Sequence, residues 1–274
     1  MWGMSMENNA LSKEEFRKEI IRLYQDYFNI CKQLGLRHWI AFGTLLGAVR
    51  HKGFIPWDDD FDVFMPREDY ESLLLYFEKN GNKIGNYSLL DPHITKHYPY
   101  CFPRFNDNSF IEIEPGKRKD YGLGLNFDIY PLDGANINDK KQIKKLLFYK
   151  KVLDLKTNYK KPKGRNWFMT LLKSIARFVV KPFSPKFTIL KMHKIAKKYK
   201  FEESYLCSDI VWDPHLPLYN REWFDETVFL DFENIKCPAP KGFSNFLTKR
   251  YGDYMKYPPE NERQGYHFLT IYKK

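Results

Sequence analysis

Apolar residues recur at helical spacing near the start of the chain. Phe16, Ile20, Leu23, Tyr24, Tyr27, Cys31 and Leu34 share one face. Ser12 and Glu15 form a capping box ahead of this run and Gly35 supplies the stop, so the pattern predicts a helix. Leu36 to Phe42 then reads as a short strand ending at Gly43, and Thr44 to Val49 as a helical turn broken at His51-Lys52-Gly53. Asp60 to Phe64 alternates as a half-buried strand does, and Glu68 to Phe77 carries Leu73, Leu74 and Phe77 on one helical face. Weaker strand patterns follow at Tyr87 to Leu90, Tyr100 to Phe105 and Phe110 to Glu114. A stronger one, Leu125 to Tyr130, is closed by Pro131 and an Asp133-Gly134 turn. Helices are predicted over Lys140 to Lys156, Trp167 to Val180, Ile189 to Tyr199 and Phe243 to Arg250, and the stretch from Phe201 onward is otherwise aromatic and Pro-rich. Strands and helices mix without a regular βαβ rhythm, which favours an α+β fold over a doubly wound sheet.

Composition adds limits. A chain of 274 residues, 43% hydrophobic and 29% charged, supports a globular core and excludes general disorder. No run approaches the roughly 20 apolar residues of a membrane span. Met1 to Ala10 lacks the apolar region of a secretory signal, and Cys31, Cys101, Cys207 and Cys237 lie far apart. Reduced, buried thiols and a cytoplasmic setting are therefore expected. The formal charge of +11 is uneven: Lys140 to Lys200 carries +19 and the remainder −8. A localised anionic partner fits this better than a general basic coat.

The densest chemistry lies between Phe42 and Phe64. On a strand, Asp60 and Asp62 project to one side while Phe61 and Val63 enter the core. Two such carboxylates repel unless a cation sits between them, and Mg²⁺ prefers oxygen ligands completed by water and phosphate. Gly43 permits a close backbone approach to phosphate, and Thr44 adds a hydroxyl. A phosphate turn before an Asp-x-Asp strand describes the nucleotidyltransferase fold, which expects a third acid on a neighbouring strand. Asp128, opposite in face to Leu125, Phe127 and Ile129, supplies it.

The stretch Gly43-Thr-Leu-Leu-Gly-Ala-Val-Arg-His-Lys-Gly-Phe-Ile-Pro-Trp-Asp-Asp-Asp-Phe-Asp62 resembles the signature of the LicD family of phosphotransferases, relatives of fukutin and fukutin-related protein. Leu247-Thr-Lys-Arg-Tyr-Gly-Asp-Tyr-Met-Lys-Tyr-Pro-Pro259, with Arg263 and His267, is similar to the family's C-terminal motif. The resemblance implies a nucleotidyltransferase-like core using Mg²⁺, held by Asp60, Asp62 and Asp128 with Asp58 nearby. It also implies transfer of phosphocholine from CDP-choline to a sugar hydroxyl of a surface glycan or its lipid-linked precursor. Ribitol phosphate or glycerol phosphate on a CDP carrier would use the same site, as would a true nucleotidyltransferase.

Gly43, Thr44, Arg50, Lys52, Arg104, Arg263 and His267 are the candidate substrate contacts. Trp57, Trp212, Tyr251, Tyr254 and Tyr257 are candidate walls for a quaternary ammonium. The organisation expected is an N-terminal helix with the catalytic core over 1–135, a basic helical segment over 136–200, and a part completing the catalytic domain over 201–274. A nucleic-acid partner is disfavoured, because an acidic site is unhelpful beside a polyanion. Trp167 to Val180, too short to span and flanked by Lys161, Lys163, Arg165, Lys181 and Lys186, suits a helix lying on an anionic membrane at the inner face of the plasma membrane.

Overall fold

A computed structural model describes residues 10–58, 60–96, 98–113, 121–157, 167–180, 182, 184–212, 218–263 and 270–274. The architecture is mixed α+β. It opens with α1 (Lys13–Leu34), β1 (Trp39–Ile40), α2 (Phe42–His51), β2 (Asp62–Pro66), α3 (Arg67–Lys79), β3 (Tyr87–Leu90), β4 (Arg104–Asp107), β5 (Phe110–Ile113) and β6 (Leu125–Ala135). Three helices follow: α4 (Lys140–Thr157), α5 (Trp167–Val180) and α6 (Pro185–Ala196). The chain continues through β7 (Leu206–Ser208), β8 (Tyr219–Asn220), β9 (Thr227–Phe232), β10 (Ile235–Pro240), α7 (Phe243–Tyr251) and β11 (Thr270–Lys273).

The main sheet runs β1-β2-β6-β4-β3, and β7 joins the far end of β6 and carries β8. β2 and β6 are parallel, with Asp62 opposite Asp128, while the remaining pairs of this sheet are antiparallel. The α1 caps form as the sequence predicts: the Ser12 and Glu15 side chains exchange reciprocal bonds with each other's N–H, and Gly35 takes φ 66. Ile20, Leu23, Tyr24, Tyr27 and Cys31 of α1 join a core rich in aromatics, where Tyr24, Tyr27, Phe61, Phe105 and Phe127 meet edge to face or tilted. All four cysteines are buried free thiols. The α5 helix has the limits expected for it, and no helix among the described residues is long and apolar enough to cross a membrane.

Several expected boundaries move. The strand at Leu36 to Phe42 shrinks to two residues, because Phe42 turns away at φ 42 and opens a ten-residue helix. Burial of its ring against Phe64 and Tyr130, at 4.7 and 5.0 Å, holds that turn. Asp60 falls outside β2, whose pairing begins at Asp62, and β4 starts only at Arg104. Pro131 and Gly134 do not end β6. The strand continues because β2 pairs it as far as Leu132 and β7 takes over from Asp133.

A buried polar clamp ties the helical segment to the sheet. Arg67 donates to both Asp133 oxygens at 2.7 and 2.6 Å and to His193 Nδ1 at 3.0 Å, while His193 Nε2 donates to the Cys101 carbonyl at 3.0 Å. Burial, with the Arg67 charge and His93 adding, pushes His193 well below the usual imidazole range, and burial alone pushes His38 down to about 3. A depressed folded pKa contributes stability that is present above the unfolded value of 6.5 and lost as pH falls. Unfolding free energy is therefore expected to drop by about 2 kcal/mol through His38 between pH 6.5 and roughly pH 5, with His193 acting in the same direction. Urea titrations at each pH check this, and His193→Gln should flatten the slope. An unchanged slope would remove His193 from the account.

Candidate active site

The acids gather where α2, β2 and β6 meet. Thr44, in the first turn of α2, accepts the Asp62 N–H on its hydroxyl at 2.9 Å, and the Ala41 N–H donates to the Asp62 carbonyl at 2.9 Å. These two bonds lock the helix start to the strand start, so Gly43-Thr44 is a helix N-terminus rather than the end of a strand. No side chain caps that terminus. A Cβ on Gly43 would collide with the Asp58 carboxylate and stand 3.8 Å from Asp60 Oδ1. A larger residue here would force the Asp58 carboxylate aside.

Asp62 is buried, and its carboxyl is pushed well above the usual range by burial first, then by Asp60, Asp128 and Asp58, against the opposing pull of Arg104. Four carboxylates thus share one field. Arg104 Nε donates to Asp128 Oδ1 at 2.7 Å and the Tyr130 hydroxyl to Asp128 Oδ2 at 3.2 Å. Arg104, read from sequence as a diphosphate contact, is held on Asp128. The donor set is oxygen only, the kind a hard divalent cation prefers. Among the described residues, no three His, Cys, Asp or Glu side chains are drawn into the geometry of a closed metal site.

A cavity of about 310 Å³ opens beside these acids, with Asp60, Arg104 and Asp128 on its polar side and Phe102, Tyr130 and Trp212 on its apolar side. Phe102 and Trp212 meet edge to face at 4.9 Å, and the Arg104 guanidinium lies 4.3 Å over Tyr100. Trp212 is the sequence-nominated wall that lines this cavity. Tyr100, Phe102 and Tyr130 were missed, although the spacings Tyr100-x-Phe102-x-Arg104 and Asp128-x-Tyr130 would place each on the face of its charged neighbour. Desolvation, and more distantly the Asp62 and Asp58 carboxylates, push the Tyr251 phenol up to about 12.

A second cluster adjoins Asp58 through Trp57. The Arg50 guanidinium lies 4.8 Å from the Tyr257 ring, and that of Arg263 lies 5.5 Å from both Trp57 and Tyr257. Arg50 donates to the Tyr254 and Lys256 carbonyls at 3.2 and 3.4 Å, and Arg263 to the Pro258 carbonyl at 2.9 Å. Among the described residues neither arginine has a carboxylate partner. Arg50 Nε and both ring nitrogens of His51 are buried there without a partner. Burial, with Arg263 contributing, pushes Arg50 down. Two neighbouring cations backed by aromatic rings and carbonyls present an anion-binding surface. Lys52 caps α2 at φ 60, its carbonyl accepts the Glu233 N–H from the β9–β10 hairpin at 2.7 Å, and its charge bears on Asp231 of that hairpin. His267 lies outside the described residues.

The site thus sets Asp62 and Asp128 opposite each other on adjoining parallel strands, with Asp58 and Asp60 in the same field. The family model LicD/FKTN/FKRP, nucleotidyltransferase domain, matches residues 35–172, about half of the chain, and the chain belongs to that family. Among its relatives is the lipopolysaccharide cholinephosphotransferase LicD of Haemophilus influenzae, 27% identical over 258 residues, which covers 90% of this chain and 93% of that protein. The ribitol-5-phosphate transferase FKTN of Mus musculus is 32% identical over 77 residues, 28% of this chain and 17% of its own length. The ribitol 5-phosphate transferase FKRP of Homo sapiens is 45% identical over 40 residues, 15% of this chain and 8% of its own length.

Proposed function

We propose that the protein transfers phosphocholine from CDP-choline to a sugar hydroxyl of a cell-surface glycan or its lipid-linked precursor. The reaction uses Mg²⁺ on a nucleotidyltransferase-like core at the inner face of the plasma membrane. Similarity to a cholinephosphotransferase along nearly the whole chain supports the class of reaction. The observation that carries the chemistry is the shared field of Asp58, Asp60, Asp62 and Asp128. Mg²⁺ held by Asp60, Asp62 and Asp128 would supply charge neutralisation for a diphosphate. Arg50 and Arg263 bind the donor's phosphate oxygens. Phe102, Tyr130 and Trp212 receive the trimethylammonium group, which cannot donate a hydrogen bond and is attracted to ring faces and to the carboxylates beside them. Asp128 accepts the proton of the acceptor hydroxyl as its oxygen attacks the β-phosphorus. The bond from that phosphorus to the bridging oxygen breaks, and CMP leaves.

The test is CMP release from a panel of CDP-alcohols by the purified protein, with and without acceptor glycan. CDP-choline should yield CMP only when acceptor is present, EDTA should abolish the reaction, and added Mg²⁺ should restore it. Two relatives named as ribitol phosphate transferases support a second reading. Failure of CDP-choline with success of CDP-ribitol or CDP-glycerol would keep the reaction and replace the alcohol. Pyrophosphate release from a nucleoside triphosphate would instead make the protein a nucleotidyltransferase.

A further inference from the structure

We infer that α5, together with a lysine-lined groove between α4 and α6, docks the protein on an anionic lipid bilayer. This deepens the reading above by naming the surface that would meet a membrane, and it rests on that reading only for what the protein does once there.

The first observation is the apolar load of α5. None of its residues is buried, Trp167 and Phe178 are 78% and 81% exposed, and Phe168, Leu171, Leu172, Ile175 and Val179 are exposed as well. A helix of this composition in a soluble domain ordinarily turns its apolar stripe to the core. Here α5 packs on α4 and leaves the stripe in water, while Phe148 of α4 and Phe187 of α6 add exposed rings. So many large apolar side chains exposed on one 14-residue helix mark an interaction site.

The second observation is charge. A groove of about 1030 Å³ between α4 and α6 is lined by Lys140, Lys141, Lys144, Lys145, Lys191 and Lys194. Asp139, the acid at its edge, is already engaged by the Lys198 ammonium and the Tyr199 hydroxyl. Apart from Lys198, the lysines that line the groove have no carboxylate partner among the described residues. An exposed apolar helix and unneutralised cations, both carried by α4 and the helices packed on it, match the interface of an anionic bilayer, where side chains enter the acyl boundary and ammonium groups meet phosphate. A second copy of the chain fits worse, since pairing α5 with itself would bring two segments of the same strong positive charge together. An RNA would engage the lysines and leave the apolar helix uncovered. The α4 helix that carries part of the groove also reaches the cavity, since Lys150 lies 4.5 Å over Trp212, a cavity wall.

The experiment is flotation of the full chain with vesicles of phosphatidylcholine alone or mixed with phosphatidylglycerol, in the absence of donor and acceptor. The protein should float only with the anionic vesicles, and should be released near 1 M salt, where screening shortens to about 3 Å. Replacing Lys144, Lys145, Lys191 and Lys194 by Gln should weaken binding about fivefold per lysine. The combined Phe168→Ser, Leu172→Ser and Ile175→Ser variant alters exposed residues, so it should keep the parent's circular dichroism and melting temperature yet lose flotation. Equal recovery with neutral and anionic vesicles, or none with either, would overturn the inference. So would a concentration-dependent dimer that the serine variant dissociates, or RNA binding that the serine variant retains while vesicles fail to compete. Because no turnover is measured, failure here leaves the transfer reaction standing, and failure of CMP release leaves the docking result standing.

Discussion

Asp62→Asn is expected to lower transfer about a thousandfold or more while raising the stability of the metal-free protein. Both effects follow from one arrangement. Asp62 is buried beside Asp60, Asp128 and Asp58, so its ionised form is opposed by desolvation and by three like charges. Asparagine keeps the shape and removes that cost, for a gain of about 1 kcal/mol and a rise in Tm of roughly 2–4 °C. It also removes a negative oxygen ligand from the proposed cation site, where charge neutralisation in the transition state is worth several kcal/mol. CMP release and thermal melts, each with and without Mg²⁺, measure the two halves separately. Turnover within a few fold of the parent would take Asp62 out of the chemistry, and a lower Tm would contradict the account of its burial.

Asp128→Asn should behave differently, losing stability as well as turnover. Its carboxylate holds the Arg104 guanidinium at 2.7 Å in a largely buried pair, the two side chains retaining 14% and 19% exposure. Neutralising Asp128 leaves that guanidinium short of its counter-charge, at an expected cost of about 2–3 kcal/mol. The companion change Arg104→Gln should recover most of the lost stability without recovering transfer, which chemical denaturation of the single and double variants would resolve. A single Asp128→Asn protein as stable as its parent would show that the pair behaves as a surface salt bridge does. The opposite signs expected at Asp62 and Asp128 distinguish repulsion among acids from the loss of an ion pair.

The local signals along the chain were read where they are strongest. Ser12, Glu15 and Gly35 define α1, because capping is a matter of a few consecutive residues. The apolar run from Trp167 to Val180 has the limits of α5. Asp62 and Asp128 were nominated together from strand alternation and the order of motifs. The hairpin of β9 and β10 was missed. Val228, Leu230 and Phe232 alternate ahead of a turn at Glu233, where φ is 53, but Pro238 and Pro240 count against the returning strand. Those prolines are tolerated because β10 pairs only with β9 in a two-stranded sheet, whose outer edge needs no N–H from them.

By itself, then, the sequence determined which residues carry charge and ring faces, where helices begin and stop, and which acids belong to one motif. The tertiary structure decided the rest. It set Asp128 opposite Asp62 by making β2 and β6 parallel neighbours, although 65 residues of chain separate the two acids. It gave Arg104 to Asp128, placed Trp212 beside Phe102 at the acidic cavity, and turned Lys52 toward the hairpin instead. It left the apolar face of α5 in water rather than on the core. Capping and periodicity are written within one turn of helix or a few strand residues, whereas a charge's partner and a helix's covered face depend on which distant segment packs beside it.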